Sequence, residues 1–118
     1  MTHTPSNDPY FVERAIAIAR ESLRGNYDFL LACRDLADIR ERLPRVSDDL
    51  MDVFVGVASE TDGLPIGDER RHWAAEPLES KDQLIAGYRV RMQSAVIEAL
   101  QHLLAVLGRD GDQGGSNA

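Results

Sequence analysis

Apolar residues recur at three- and four-residue intervals in four separate stretches of this chain, and only one run also alternates as a strand would. A single alternating run has no second strand to pair with. The periodicity therefore predicts an all-α fold, and helix-stop and helix-start residues divide it into four helices. Asp8-Pro9 reads as an N-cap with proline at the first helical position, where its missing N–H removes no bond. Val12, Ala15, Ile16, Ala19 and Leu23 then mark a buried stripe, widened by Phe11 and Ile18, while Glu13, Arg14, Arg20, Glu21 and Arg24 face away. Gly25-Asn26 ends this helix.

The second stretch is the cleanest: Phe29, Ala32, Cys33, Leu36, Ile39 and Leu43 all fall on one face. Asn26 is its expected cap, Asp28 lies in its first turn, and Pro44 stops it because the residue before proline is pushed out of the helical region. Arg34 with Asp38, and Asp38 with Arg42, read as solvated surface pairs. Ser47 caps a third stretch that begins with Asp48 and Asp49 and carries Leu50, Val53, Phe54, Val57 and Ala58. Here Val53, Val55 and Val57 alternate as well, and the cap decides for helix. Gly56 within it reads as a close contact with a neighbouring helix.

The last helix starts either with Pro77 at its first position or with Ser80 and Gln83 as a capping box. Leu84, Ile85, Tyr88, Met92, Val96, Ala99, Leu103 and Leu107 mark its buried face, and Gly108 ends it. From Ala95 to Leu107 only Glu98, Gln101 and His102 are polar, which suits either a central helix or half of a homodimer seam. The expected architecture is a four-helix up-and-down bundle with an elaborated crossover between helices three and four. Residues 1–8 are expected to form a disordered leader, 9–107 a single helical domain and 108–118 a flexible tail.

Charge is distributed unevenly. The net charge of −7 lies wholly in residues 48–82, which hold ten acidic groups against Arg70, Arg71 and Lys81. Such a field repels nucleic acid and anionic membrane and draws a basic protein partner. The start of the chain has neither the basic residues nor the apolar run of a signal peptide, so a cytoplasmic location is expected. Cys33 has no second cysteine to pair with and reads as a small buried apolar residue.

The crossover, Ser59 to Trp73, holds the turn formers, the only tryptophan and mixed charges. Glu60, Asp62, Asp68, Glu69 and His72 lie within thirteen positions, yet their spacing matches no calcium loop and no HExxH pair is present, so neither a metal site nor a cofactor is expected. His72 near a Ser59 or Thr61 hydroxyl lacks any oxyanion loop or nucleophile elbow. The preferred reading of Trp73 turns the indole into the bundle, pinning the crossover. The alternative is a half-exposed anchor ringed by acids.

The segment Phe54-Val55-Gly56-Val57, Ser59-Glu60-Thr61-Asp62, Leu64-Pro65, Gly67, Arg70 or Arg71, and Trp73 resembles the signature of a family of short uncharacterised bacterial proteins, over roughly residues 12–105. The resemblance implies a compact bacterial domain and lends no activity. In charge and general plan alone, the chain is also similar to small acidic helical immunity proteins. The reading is a protein-binding module, of immunity type, that offers Asp49, Asp52, Glu60, Asp62, Asp68, Glu69 and Trp73 to a basic partner. The alternative is a small enzyme or ligand-binding protein with Glu60, Asp62, Arg70 and His72 around a crossover pocket.

Overall fold

A computed structural model describes residues 5–115, and among these every regular element is helical. Helix α1 spans Pro9–Leu23, α2 Phe29–Asp38, α3 Asp48–Glu60 and α4 Ala75–Gly115, with 3-10 turns at Arg40–Arg42 and Asp68–His72. Each α-helix packs on the next and α4 closes back on α1, the neighbour scheme of a four-helix bundle. Helices α3 and α4 run antiparallel: Asp49 near the start of α3 shares a groove with Glu98 and His102, whereas Glu60 at its end meets Tyr88.

Local chemistry accounts for most boundaries. Asp8 accepts a hydrogen bond from the Tyr10 amide at 3.0 Å, capping α1 ahead of Pro9. At the other end Gly25 adopts φ 86°, and two bonds, Asn26 N–H to Glu21 carbonyl and Gly25 N–H to Ser22 carbonyl, form a Schellman closure. Glycine is required there because a side chain disfavours that backbone. Ser47 caps α3 through the Leu50 amide at 3.3 Å, so the Val53-Val55-Val57 run is helical.

Five expectations change. Helix α2 ends at Asp38, and the chain tightens into the Arg40–Arg42 turn before Pro44, which still delivers Leu43 to the core. Its N-cap is Asp28 rather than Asn26, and the Asp28 carboxylate bonds Arg89 instead of a helix amide. Helix α4 starts two residues before Pro77, which the first turn accepts because its N–H has no intrahelical partner there. It also runs through Gly108 to Gly115, so eight residues of the expected tail are helical. The end of the expected leader is tied down: the Asp8 amide donates to the Arg42 carbonyl at 2.9 Å, and Asn7 Oδ1 accepts from the Arg45 amide at 2.8 Å. Residues 1–4 and 116–118 lie outside the described residues.

The core joins all four helices through Ala15, Ile18, Leu30, Leu36, Phe54, Val57, Val96, Leu100, Leu103 and Leu107. Along α4 the buried positions are Ile85, Tyr88, Val96, Ala99, Leu100, Leu103 and Leu107. Leu84 stands 57% exposed, one position off that face. The apolar stretch of α4 is therefore mostly interior to one chain, with Ala95, Glu98, Gln101, His102 and Ala105 outward.

Gly56 does not mark a close helix contact, since a Cβ built there meets nothing within 4 Å. Gly56→Ala should stabilise the fold by about 1 kcal/mol through helix propensity. Phe54→Ala, at a fully buried site, should cost about 3–5 kcal/mol. Urea unfolding followed by circular dichroism measures both.

Candidate functional site

The crossover is held from inside by a residue of α2. Arg34 extends from the middle of that helix and donates to Glu69 Oε2 at 2.7 Å, to the Leu64 carbonyl at 3.1 Å and to the Thr61 carbonyl. Its side chain is only 20% exposed, so these bonds form largely out of water, where a guanidinium needs several acceptors. The Thr61 hydroxyl turns inward and donates to the Val57 carbonyl at 2.8 Å. Thr61 and Pro65 are fully buried and Ile66 nearly so. The loop is a plug in the bundle.

A second arginine secures the far side of the same loop. Arg70 donates to the Pro65 carbonyl at 3.0 Å and grips Asp82 of α4 with both arms, at 2.6 and 3.2 Å. This pairing holds the Asp82 carboxyl below its ordinary range and raises the guanidinium. Gly67 sits between the two clips. A Cβ there would lie 3.0 Å from Glu69 Oε1 and 3.3 Å from Leu31 Cδ2, so the loop approaches α2 too closely for a larger residue without movement.

The residues singled out in the sequence therefore divide. Glu60 accepts from the Tyr88 hydroxyl at 2.6 Å, and burial together with that carboxylate raises the phenol. Glu69 belongs to Arg34 and Arg70 to Asp82. His72 is exposed at the end of its 3-10 turn, while the Thr61 hydroxyl faces the α3 backbone, so no His–hydroxyl pair forms. Trp73 is half-buried and belongs neither to the core nor to the partly buried hydrophobics packed on it. The indole does not pin the crossover to the core; Arg34, Thr61, Pro65 and Ile66 do. Asp49, Asp52, Asp62 and Asp68 are exposed. Among the described residues no group of three His, Cys, Asp or Glu side chains is arranged to hold a metal ion.

Arg34 was hidden in the sequence by Asp38, four residues on, which offered a surface pair. The only available signal was its place beside Cys33, on the edge of the buried face. Arg89 was similarly missed: it grips Asp28 with both arms, one bond at 3.1 Å, and lies 5.7 Å over the Phe29 ring. Tyr27 donates to Asp35, whose carboxyl burial pushes above its usual range. Among the described residues no helix is long and apolar enough to cross a membrane. Compared with family models, curated proteins and solved structures, the chain matches none of the three.

Arg34 and the local backbone lower the Glu69 carboxyl to about 2. A depressed acid contributes stability that is present above its unfolded pKa and lost as pH falls through the folded one. The Arg34 clip should thus weaken between about pH 4.5 and about 2. Glu69→Gln should flatten the urea-unfolding free energy across that window by up to about 1 kcal/mol, a small effect because the carboxylate is 43% exposed. Cys33 is fully buried, and burial followed by the charge of Asp28 pushes its thiol to about 12. A disulfide reagent at pH 8 should label it only as fast as the protein unfolds, and urea should release the reaction.

Proposed function

We propose that this protein is a protein-binding module that offers an acidic surface, centred on residues 48–82, to a basic partner. One observation carries the reading. Of the ten carboxylates in that segment, Glu60, Glu69 and Asp82 are held by Tyr88, Arg34 and Arg70. Asp48, Asp49, Asp52, Asp62, Asp68, Glu76 and Glu79 are all exposed and have no hydrogen-bond or ion-pair partner among the described residues. Against them the segment offers only Arg71 and Lys81 as uncommitted cations.

Groups that stabilise the fold are thus separate from groups that face water. Unpaired like charges on a folded surface raise its self-repulsion, and a cationic partner relieves it. In the immunity-type form of this reading, the partner is a toxin whose basic surface is made for a polyanion. The crossover gives less support to a small-molecule site, because Glu60, Arg70 and His72 are directed to different surroundings.

Affinity capture from native cells with the full chain as bait tests this. A partner should be retained at low ionic strength, released as salt rises, and lost when the exposed acids Asp49, Asp52, Asp62 and Asp68 are reversed to lysine together. A partner insensitive to both salt and these reversals refutes the reading.

A further inference from the structure

Three of the surface grooves match in net formal charge but differ in whether a cation sits among their acids: Asp38, Glu41 and Asp62, or Glu41, Asp48 and Asp52, stand beside Arg40, and Asp28 beside Arg24 in the neutral groove at the α1–α2 turn. The groove beside the α1–α2 turn includes Arg24, and two others, one between residues 40–46 and α3 and one between the end of α2 and α3, both include Arg40. The fourth, between α3 and α4, encloses about 630 Å3 and has neither lysine nor arginine in its lining. Its floor is apolar, formed by Leu50 and Val53 from α3 and by Ala95 and Ala99 from α4. Asp49 and Glu98 flank it from opposite helices. Both are exposed and unpaired.

We propose that this α3–α4 groove seats a basic amphipathic segment of the partner protein, with an apolar side chain on the floor and lysine or arginine side chains facing Asp49 and Glu98. The inference rests on the acidic-module reading and narrows it, because it moves the docking seat from the crossover to the bundle flank. An apolar floor under an acidic rim is complementary to such a side-chain set: the aliphatic stems of lysine and arginine cover apolar surface while their heads reach the carboxylates. Asp48 and Asp52 stand exposed on the same helix and extend the negative field beyond the rim.

The alternatives fit less well. A second copy docked through a twofold axis would set this patch against itself, bringing Asp49 and Glu98 close to their own copies in a molecule of net charge −7. Nucleic acid and anionic lipid carry the same sign as the rim. The two grooves that include Arg40 are also net negative, and what sets the α3–α4 groove apart is that its acids border an apolar floor with no arginine or lysine beside them.

The test uses the full chain and two labelled 14-residue helical peptides, one of leucine and arginine with an apolar face, the other with glutamate replacing arginine. Fluorescence anisotropy should show the arginine peptide binding in a salt-dependent way and the glutamate peptide not binding. Amide shift changes should centre on Val53, Ala95 and Ala99. The double variant Asp49→Lys, Glu98→Lys should weaken binding by about tenfold or more, as two lost charge contacts predict. Ala95→Arg, at an exposed helical site, should do the same with both acids intact, and thermal melts verify that each variant folds.

If shifts instead centre on the crossover, and Asp62→Lys with Asp68→Lys is the combination that weakens binding, the groove assignment is overturned while the acidic-module reading stands. Salt-independent binding, or equal binding of the glutamate peptide, overturns both. Light scattering that shows a dimer, with the groove amides protected in it, also overturns the groove assignment.

Discussion

A long cationic side chain from the middle of one helix, closing over the backbone of a loop two elements away, sets the form of the α3–α4 connection. Arg34 binds the carbonyls of Thr61 and Leu64 and the carboxylate of Glu69. The Thr61 and Leu64 carbonyls each accept one backbone bond, from the Leu64 and Ile66 amides, and inside a bundle their second lone pairs and the carboxylate call for further donors. With the guanidinium supplying those donors, Thr61, Pro65 and Ile66 enter the interior. The acidic loop can then be both buried and charged. Removing Arg34 would leave the Glu69 carboxylate without its arginine and reduce the Thr61 and Leu64 carbonyls to one backbone donor each, a larger disturbance than the loss of one surface ion pair.

The same device recurs around α4. Arg70 clamps Asp82 near its start, and Arg89 clamps Asp28 a few turns later, so α4 is fixed to the crossover and to the first turn of α2. Tyr88, between these clamps, reaches Glu60 at the end of α3. Each contact joins α4 to a different part of the chain, and the apolar residues from Val96 to Leu107 fill the interior beyond them. Polar contacts set register in one half of the helix and apolar packing fills the other. Directional bonds discriminate between positions along a helix more sharply than non-directional burial does.

Helices, caps and most core positions were legible because each has a local cause. Asp8-Pro9, Gly25 and Ser47 act within a turn of where they stand, and the apolar stripes of α1 to α3 follow a fixed period. The end of α4 was not legible, because glycine weakens a helix without forbidding it and Gly108 is continued through. Leu84 and Leu100 exchanged roles because adjacent positions on a helix differ by about 100°, and one residue of error turns a side chain to another face. The site was less legible than the fold. Pairings such as Arg34 with Glu69 span thirty-five residues, and no local pattern separates a committed carboxylate from a free one.

That separation changes the meaning of the acidic segment. Formal charge alone treats its ten carboxylates as equivalent, whereas the structure removes Glu60, Glu69 and Asp82 into internal contacts and leaves the others in water. The committed acids lie at the end of α3, in the crossover and in the second turn of α4, each within reach of a side-chain donor from another element. Asp48, Asp49 and Asp52 lie on the regular first turns of α3, where the macrodipole favours negative charge and no partner is needed. A helix N-terminus thus carries acids at little energetic penalty while leaving them unpaired, whereas the crossover is mixed, with Glu69 committed to Arg34 and Asp62 and Asp68 left exposed. The unpaired acids of residues 48–82 thus have two origins: helix starts, where the macrodipole offsets their charge, and the solvent side of the crossover, where Asp62 and Asp68 lie clear of the Arg34 and Arg70 clamps.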